Sequence, residues 1–270
     1  VGKAGDLVKN QGYFRSGLPY TRIGNGDKPL VVFDGLTFEH KPQSPAMVKM
    51  YSFLDKEYTI YSVLRKPNLP QQYSLDDMAD DYAVMIREEF GKPVDIIGIS
   101  TGGSVALHFA LLHPDLVRRL VLHSSAHSLN DKAKQLQLDI AQLAQAGQWR
   151  KAWSVLIATG FPQSGIASHL CKPLIGIIAV LLSMHHPKDA NELLVTVQAE
   201  DKHAFQSQLH EISCPTLVAG GEDDYFYSPE LFKQTAAGIP NARLCLYANM
   251  GHPAGGKQFR EDVLRFLQGT

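Results

Sequence analysis

Short β-branched runs recur along this chain with helical patterns between them, and that alternation constrains the fold more than any other feature. Leu30–Phe33 (LVVF), Tyr58–Val63 (YTIYSV), Val94–Ile99 (VDIIGI), Leu120–His123 (LVLH), Thr216–Ala219 (TLVA) and Leu244–Tyr247 (LCLY) each read as a buried strand bounded by Gly, Pro or polar residues. The clearest helix spans Leu75–Phe90, where Leu75, Met78, Ala79, Tyr82, Met85, Ile86 and Phe90 recur at three- and four-residue steps. Ser74 and Asp77 supply a capping-box pattern at its start, and Gly91 ends it. Strand, helix, strand implies crossover connections and a mostly parallel sheet flanked by helices, an α/β fold.

Two regions depart from the alternation. Upstream, Gly12–Ile23 is followed by Gly-Asn-Gly-Asp, whose Asn25-Gly26 pair is a hairpin-turn signal, so one or two antiparallel strands are expected to lead into the strand at Leu30. From Ala126 to about Ile212 the sequence has no strand signal and reads as helical segments: Lys132–Ala146, Gln148–Ala158, Pro173–Met184 and Ala190–Ala199. An all-helical insertion between two strands of an α/β sheet is most simply a lid over the sheet's C-terminal edge, where such sheets place their ligands. The expected division is therefore a discontinuous core, 1–125 and 213–270, and a helical lid, 126–212. Leu174–Met184 (LIGIIAVLLSM) is too apolar to face water and too short, against the ~20 residues of a membrane span, to cross a bilayer. It is expected to pack between lid and core or to line a pocket.

Val94–Ala110 reads VDIIGISTGGSVALHFA: a strand, then G-x-S-x-G, then an apolar-periodic helix. Glycines two before and two after Ser100 leave room for a crowded strand-to-helix turn that holds the serine out as a nucleophile. A serine hydroxyl needs a base to take its proton and an acid to orient that base. Both lie later in the chain. Gly220-Gly-Glu-Asp-Asp224 follows one predicted strand and Asn249-Met-Gly-His252 follows the next, which puts the acid and the base at the same sheet edge as Ser100.

These segments together resemble the α/β-hydrolase fold superfamily over nearly the whole chain. Cys214–Asp224 (CPTLVAGGEDD) is similar to that family's P-T-L-V-x-x-G-x-x-D, and Met250-Gly-His252 to its G-H. The resemblance implies a Ser-Asp-His triad in the order Ser100, Asp224, His252. Counting the acid from Gly221 selects Asp224, and counting from Gly220 selects Asp223. It also implies oxyanion donors from the backbone N–H groups of Leu36 and Thr101. The family usually carries His-Gly after its third strand, where this chain has Asp34-Gly35. A carboxylate aimed at the oxyanion site would oppose catalysis; one turned onto local backbone N–H groups would spare it, and the retained Gly35 favours the second arrangement.

The implied function is a serine hydrolase that cleaves a small, largely apolar ester through an acyl-enzyme, with no metal or organic cofactor. Lactone, amide and carbon–carbon bond hydrolases and acyltransferases share the pattern. A small-molecule binding protein with slow turnover, which Asp34 favours, and a scaffold associating through the lid are the readings from other classes. His108, His113, His123 and His185-His186 are expected to be structural. Lys and Arg total 26 against 27 Asp and Glu, so the chain lacks the basic surplus a nucleic-acid binder needs. Three widely spaced cysteines, Cys171, Cys214 and Cys245, and no apolar leader in Val1–Asn10 point to a reducing, cytoplasmic location. Oligomeric state has no signature in the sequence.

Overall fold

The β-branched runs form strands, and two further strands precede them. The computed structural model describes residues 10–159 and 165–269, with backbone alone at 47 and 165–172, so Cys171 and most of Val1–Asn10 lie outside the described side chains. In chain order the elements are β1 (Gln11–Tyr13), β2 (Pro19–Ile23), β3 (Lys28–Phe33), a short helix α1 (Pro45–Val48), β4 (Tyr58–Val63), α2 (Leu75–Glu89), β5 (Val94–Ile99), α3 (Thr101–Leu112) and β6 (Val117–His123). Then follow α4 (Asp131–Gln145), α5 (Trp149–Ala158), α6 (Gly165–Ser183), α7 (Asn191–Asp201), β7 (Thr216–Gly221), α8 (Pro229–Gly238), β8 (Ala242–Tyr247) and α9 (Gly256–Gln268).

The strands make one eight-stranded sheet in the order β1-β2-β4-β3-β5-β6-β7-β8. All pairings from β4 to β8 are parallel, while β1 and β2 run antiparallel at the edge. The two-residue side-chain period of a strand sorts the core into two layers. Val31 and Phe33 of β3, Ile96 of β5, Leu120 and Leu122 of β6 and Val218 of β7 face the layer that holds α2, α3 and α8. Leu30, Val32, Ile97, Val121 and Leu217 face the opposite layer, where Phe259, Val263 and Phe266 of α9 pack with Tyr51 and Leu54 from a 3₁₀ turn over Lys49–Leu54.

The capping box of α2 forms reciprocally: Asp77 N–H donates to Ser74 Oγ (3.1 Å) and Ser74 N–H to Asp77 Oδ2 (2.8 Å). Gly91 ends that helix with φ +62°.

Two expectations need correction. Asn25-Gly26 does not close a hairpin between β2 and β3, because β4 lies between them and pairs with both. The turn instead crosses the start of β4, where Asn25 N–H donates to Asp55 O and Lys28 N–H to Glu57 O, both at 3.3 Å. Nor is Leu174–Met184 buried. Ala179 is fully covered, but Leu174, Ile177, Leu181 and Met184 are 49–69% exposed, because α6 packs on α5 and leaves this stripe outward.

Every described element between β6 and β7 is helical, and α4, α5 and α7 gather an apolar cluster of their own. Phe38, Ile140, Ala141, Trp149, Ala152, Leu193 and Val197 form its centre.

Candidate active site

The turn from β5 into α3 holds Ser100 at φ 52° and ψ −128°, a region L-residues rarely occupy. Its neighbours fix it there. Ser100 N–H donates to His123 O (3.0 Å) on β6, and Gly103 N–H donates back to Ser100 O (2.7 Å). The two motif glycines are required by space: a Cβ on Gly98 would lie 2.6 Å from Gly103 Cα, and one on Gly102 only 2.0 Å from the Phe33 carbonyl oxygen. The end of β3 thus presses against the serine turn.

His252 Nε2 lies 3.0 Å from Ser100 Oγ, and His252 Nδ1 lies 2.9 Å from Asp224 Oδ2. A carboxylate only accepts, so the partners assign the proton to Nδ1 and leave Nε2 as a lone pair facing the serine hydroxyl. Asp224 in turn is held by two backbone donors on its other oxygen, Phe226 N–H at 2.8 Å and Tyr227 N–H at 3.1 Å. Its side chain is fully buried, whereas Asp223 and Glu222 point to solvent. Of the two aspartates that spacing allowed, Asp224 is the one that meets His252.

The loop carrying His252 is anchored by His123. This buried histidine, pushed down to about 4 chiefly by desolvation, is neutral. It donates from Nε2 to Ala254 O (2.8 Å) and accepts the Tyr51 hydroxyl on Nδ1 (2.8 Å). Ala254 N–H adds a bond to Ser124 Oγ (2.8 Å). His123 is structural, as expected for the end of a core strand, but it orders the base from behind.

Asp34 turns onto local partners. Its Oδ1 accepts Gly35 N–H (3.0 Å) and its Oδ2 accepts Ser62 Oγ–H (2.6 Å). Burial raises its pKa, with those two bonds and Arg65 pulling the other way. Arg65, 1% exposed, donates Nη1 to Asp34 O (2.8 Å) and Nη2 to Gly35 O (2.7 Å), so the planar guanidinium clamps both carbonyls of the loop that ends at Leu36. Reading the sequence missed this residue. Its only signal is a lone arginine two residues beyond the buried β4 strand, at the same sheet edge as Ser100. Leu36 N–H makes no hydrogen bond to any described residue, and Thr101 supplies the first N–H of α3, which a helix leaves unpaired.

Ser100 and His252 open onto a cavity of about 300 Å³ lined by Leu36, Met50, Ile99, Leu156, Phe226 and Pro253 among its apolar groups. Asp34, Thr37, Gln43, Gln137 and Thr159 are its other polar residues, and among the described residues no Lys or Arg lines it. A larger cleft of about 450 Å³ between α2 and α7 contains none of these groups. There His108 bonds to Asp76 and to His203 (3.2 Å), a side-chain lattice joining α2, α3 and the end of α7.

The alpha/beta hydrolase fold family model matches residues 55–151. Among curated relatives, "Putative carbamate hydrolase RutD" of Serratia proteamaculans is 26% identical over 196 residues, 69% of each chain. The 2-hydroxy-6-oxononadienedioate/2-hydroxy-6-oxononatrienedioate hydrolase of a Pseudomonas species is 22% identical over 274 residues, covering 95% of this chain and 94% of the relative. A solved hydrolase from Pseudomonas aeruginosa PA01 superposes with a TM-score of 0.79 at 22% identity, over 96% of this chain and 99% of that one. Sheet order, strand-to-helix serine turn and these likenesses agree: the chain has the α/β-hydrolase fold. Among the described residues, no helix is long and apolar enough to cross a membrane.

Proposed function

We propose that this protein is a serine hydrolase acting on a small, uncharged, largely apolar carboxylic ester. The observation that carries the reading is the continuous hydrogen-bonded chain from Ser100 Oγ through His252 to Asp224 at the wall of a mainly apolar cavity. Ser100 Oγ attacks the ester carbonyl while His252 Nε2 takes its proton, and the carbonyl oxygen becomes an oxyanion facing the Leu36 and Thr101 N–H groups. Such donors are each worth about 3 kcal/mol to the transition state. The imidazolium, oriented by Asp224, then protonates the departing alcohol and leaves an acyl-serine. Water deprotonated by His252 attacks that ester, and the acid leaves as Ser100 recovers its proton.

The relatives' names include a carbamate hydrolase and a dioate hydrolase. A dioate brings two carboxylates, and the described lining offers them no cation, which supports the neutral ester over a diacid. We read 126–212 as a lid on a core of 1–125 and 213–270, because α4, α5 and the residue that ends α5 supply Gln137, Leu156 and Thr159 to the cavity wall. The free thiols of Cys214 and Cys245 support a reducing, cytoplasmic setting.

A fluorophosphonate probe tests the mechanism. The wild type is expected to label and Ser100→Ala to remain unlabelled; an unlabelled wild type refutes the activated serine. Ester hydrolysis that is absent across a panel graded by acyl length, with labelling intact, refutes the ester as substrate.

A further inference from the structure

We infer that Gln137 is the specificity-determining residue of this site, and that the substrate carries, besides its scissile carbonyl, one uncharged hydrogen-bonding group that meets the Gln137 amide. The inference rests on the serine-hydrolase reading and narrows its substrate class.

Gln137 lies on α4, in the stripe of that helix that faces inward. Ala133, Gln137, Ile140, Ala141 and Ala144 are the buried positions, three and four residues apart, and four of the five are apolar. Gln137 is only 2% exposed, lines the cavity beside Ser100, and makes no hydrogen bond to any described residue. A primary amide brings two N–H donors and a carbonyl with two lone pairs. Burying these without partners is costly, and a Leu or Met would fill the same place on the stripe without that cost.

Three of the four other polar side chains around the cavity, outside the Ser-His-Asp chain, are already engaged. Thr37 Oγ1 donates to Glu39 O (3.1 Å), Thr159 Oγ1 to Leu156 O (2.7 Å), and Asp34 is taken up by Gly35 and Ser62. Gln43, half-buried, is the remaining amide on the wall. Gln137 is therefore the fully buried polar side chain, outside the Ser-His-Asp chain, that faces the cavity with its hydrogen-bonding capacity unspent.

The chemistry of the pair sets the class of ligand. An amide is neutral and both donates and accepts, so it complements a ketone, hydroxyl, ether or amide. It does not offset the desolvation of a carboxylate or an ammonium ion, and no described cation lines the wall to do so. Leu36, Met50, Ile99, Leu156, Phe226 and Pro253 make up most of the remaining wall, which fits hydrocarbon in the rest of the substrate.

The test uses ester pairs matched in length, one member carrying a ketone or hydroxyl where the other has a methylene. One series places that group in the acyl arm and a second in the alcohol arm, with hydrolysis followed by proton release. The wild type is expected to prefer the polar member of one series by about tenfold or more in kcat/KM. Gln137→Leu is expected to bring that ratio close to one. Because the ratio is taken within each variant, a general loss of activity does not move it. Gln137→Met provides the same comparison if the Leu variant does not fold. A wild type that labels with the fluorophosphonate but shows no preference in either series overturns the role of Gln137 and leaves the serine mechanism standing. Preference that survives in both variants does the same. An unlabelled wild type overturns both.

Discussion

At the residue scale, the site is defined less by which groups are present than by which of their lone pairs and protons are already committed. Asp224 spends one oxygen on two backbone N–H groups and the other on His252, which locks the imidazole tautomer. Asp224→Asn keeps the shape but puts an N–H donor where Oδ2 had accepted from His252, and turnover is expected to fall about 10³–10⁴-fold in steady-state assays. Asp223→Asn, at an exposed side chain, is expected to stay within about twofold of wild type, and a large loss there would move the triad acid to Asp223. Asp34 is the other committed carboxyl. In Asp34→Asn, Oδ1 still accepts Gly35 N–H and Ser62 Oγ can accept where it had donated, so turnover is expected within about threefold of wild type. A strong rise would mean that the carboxylate opposes the oxyanion after all.

At the element scale, close backbone approach between β3 and the start of α3 sets the serine in place. A methyl group on Gly102 would collide with the Phe33 carbonyl, which belongs to a sheet strand and has no rotamer to retreat into. Gly102→Ala is expected to lower stability by about 3 kcal/mol, at the upper end for overpacking, and to slow fluorophosphonate labelling. Thermal melts and labelling rates measure the two effects on one sample. The glycines, the six β-branched strands, α2 with its cap and the order Ser100, Asp224, His252 were legible because each is written in local spacing. What escaped depends on contacts distant in sequence. Asn25-Gly26 reads as a hairpin by every local rule, yet β4 pairs with both neighbouring strands from thirty or more residues away. Leu174–Met184 declares itself apolar, but composition carries no address, and α6 turns much of it outward. Arg65 and Gln137 are single polar letters. Gln137 did leave a trace, a polar residue on the inward stripe of an amphipathic helix, but the trace gains meaning only once the cavity is known.

At the scale of the whole molecule, buried titratable groups tie stability to pH from both sides. His40, His123 and His203 are pushed down by burial to about 3, 4 and 3, against an ordinary value of 6.5. Between those limits the unfolded chain binds protons that the folded one refuses, so this stability is fully present above pH 6.5 and is lost as pH falls toward about 3. The melting temperature is expected to drop across that interval, and His203→Gln to make the slope shallower. Glu200 works in the opposite sense. Its carboxyl is buried against Ser104 (2.6 Å), and desolvation raises its pKa. The folded chain then holds a proton the unfolded one releases, so stability declines as pH rises from the ordinary carboxylate value of 4.5 through the folded value. Glu200→Gln is expected to gain stability over the wild type progressively above pH 4.5, read by melts at matched ionic strength. Finally, β6 and β7 are neighbours in the sheet, so the helices between them occupy the place of one crossover connection. Ser100, Asp224 and His252 lie outside that connection, and Gln137, Leu156 and Thr159 within it or at its cavity wall. Mutational drift in the crossover can therefore change what enters the cavity without passing through forms that have lost the means to break the bond, and a graft exchanging only that stretch is the natural unit for redesigning selectivity.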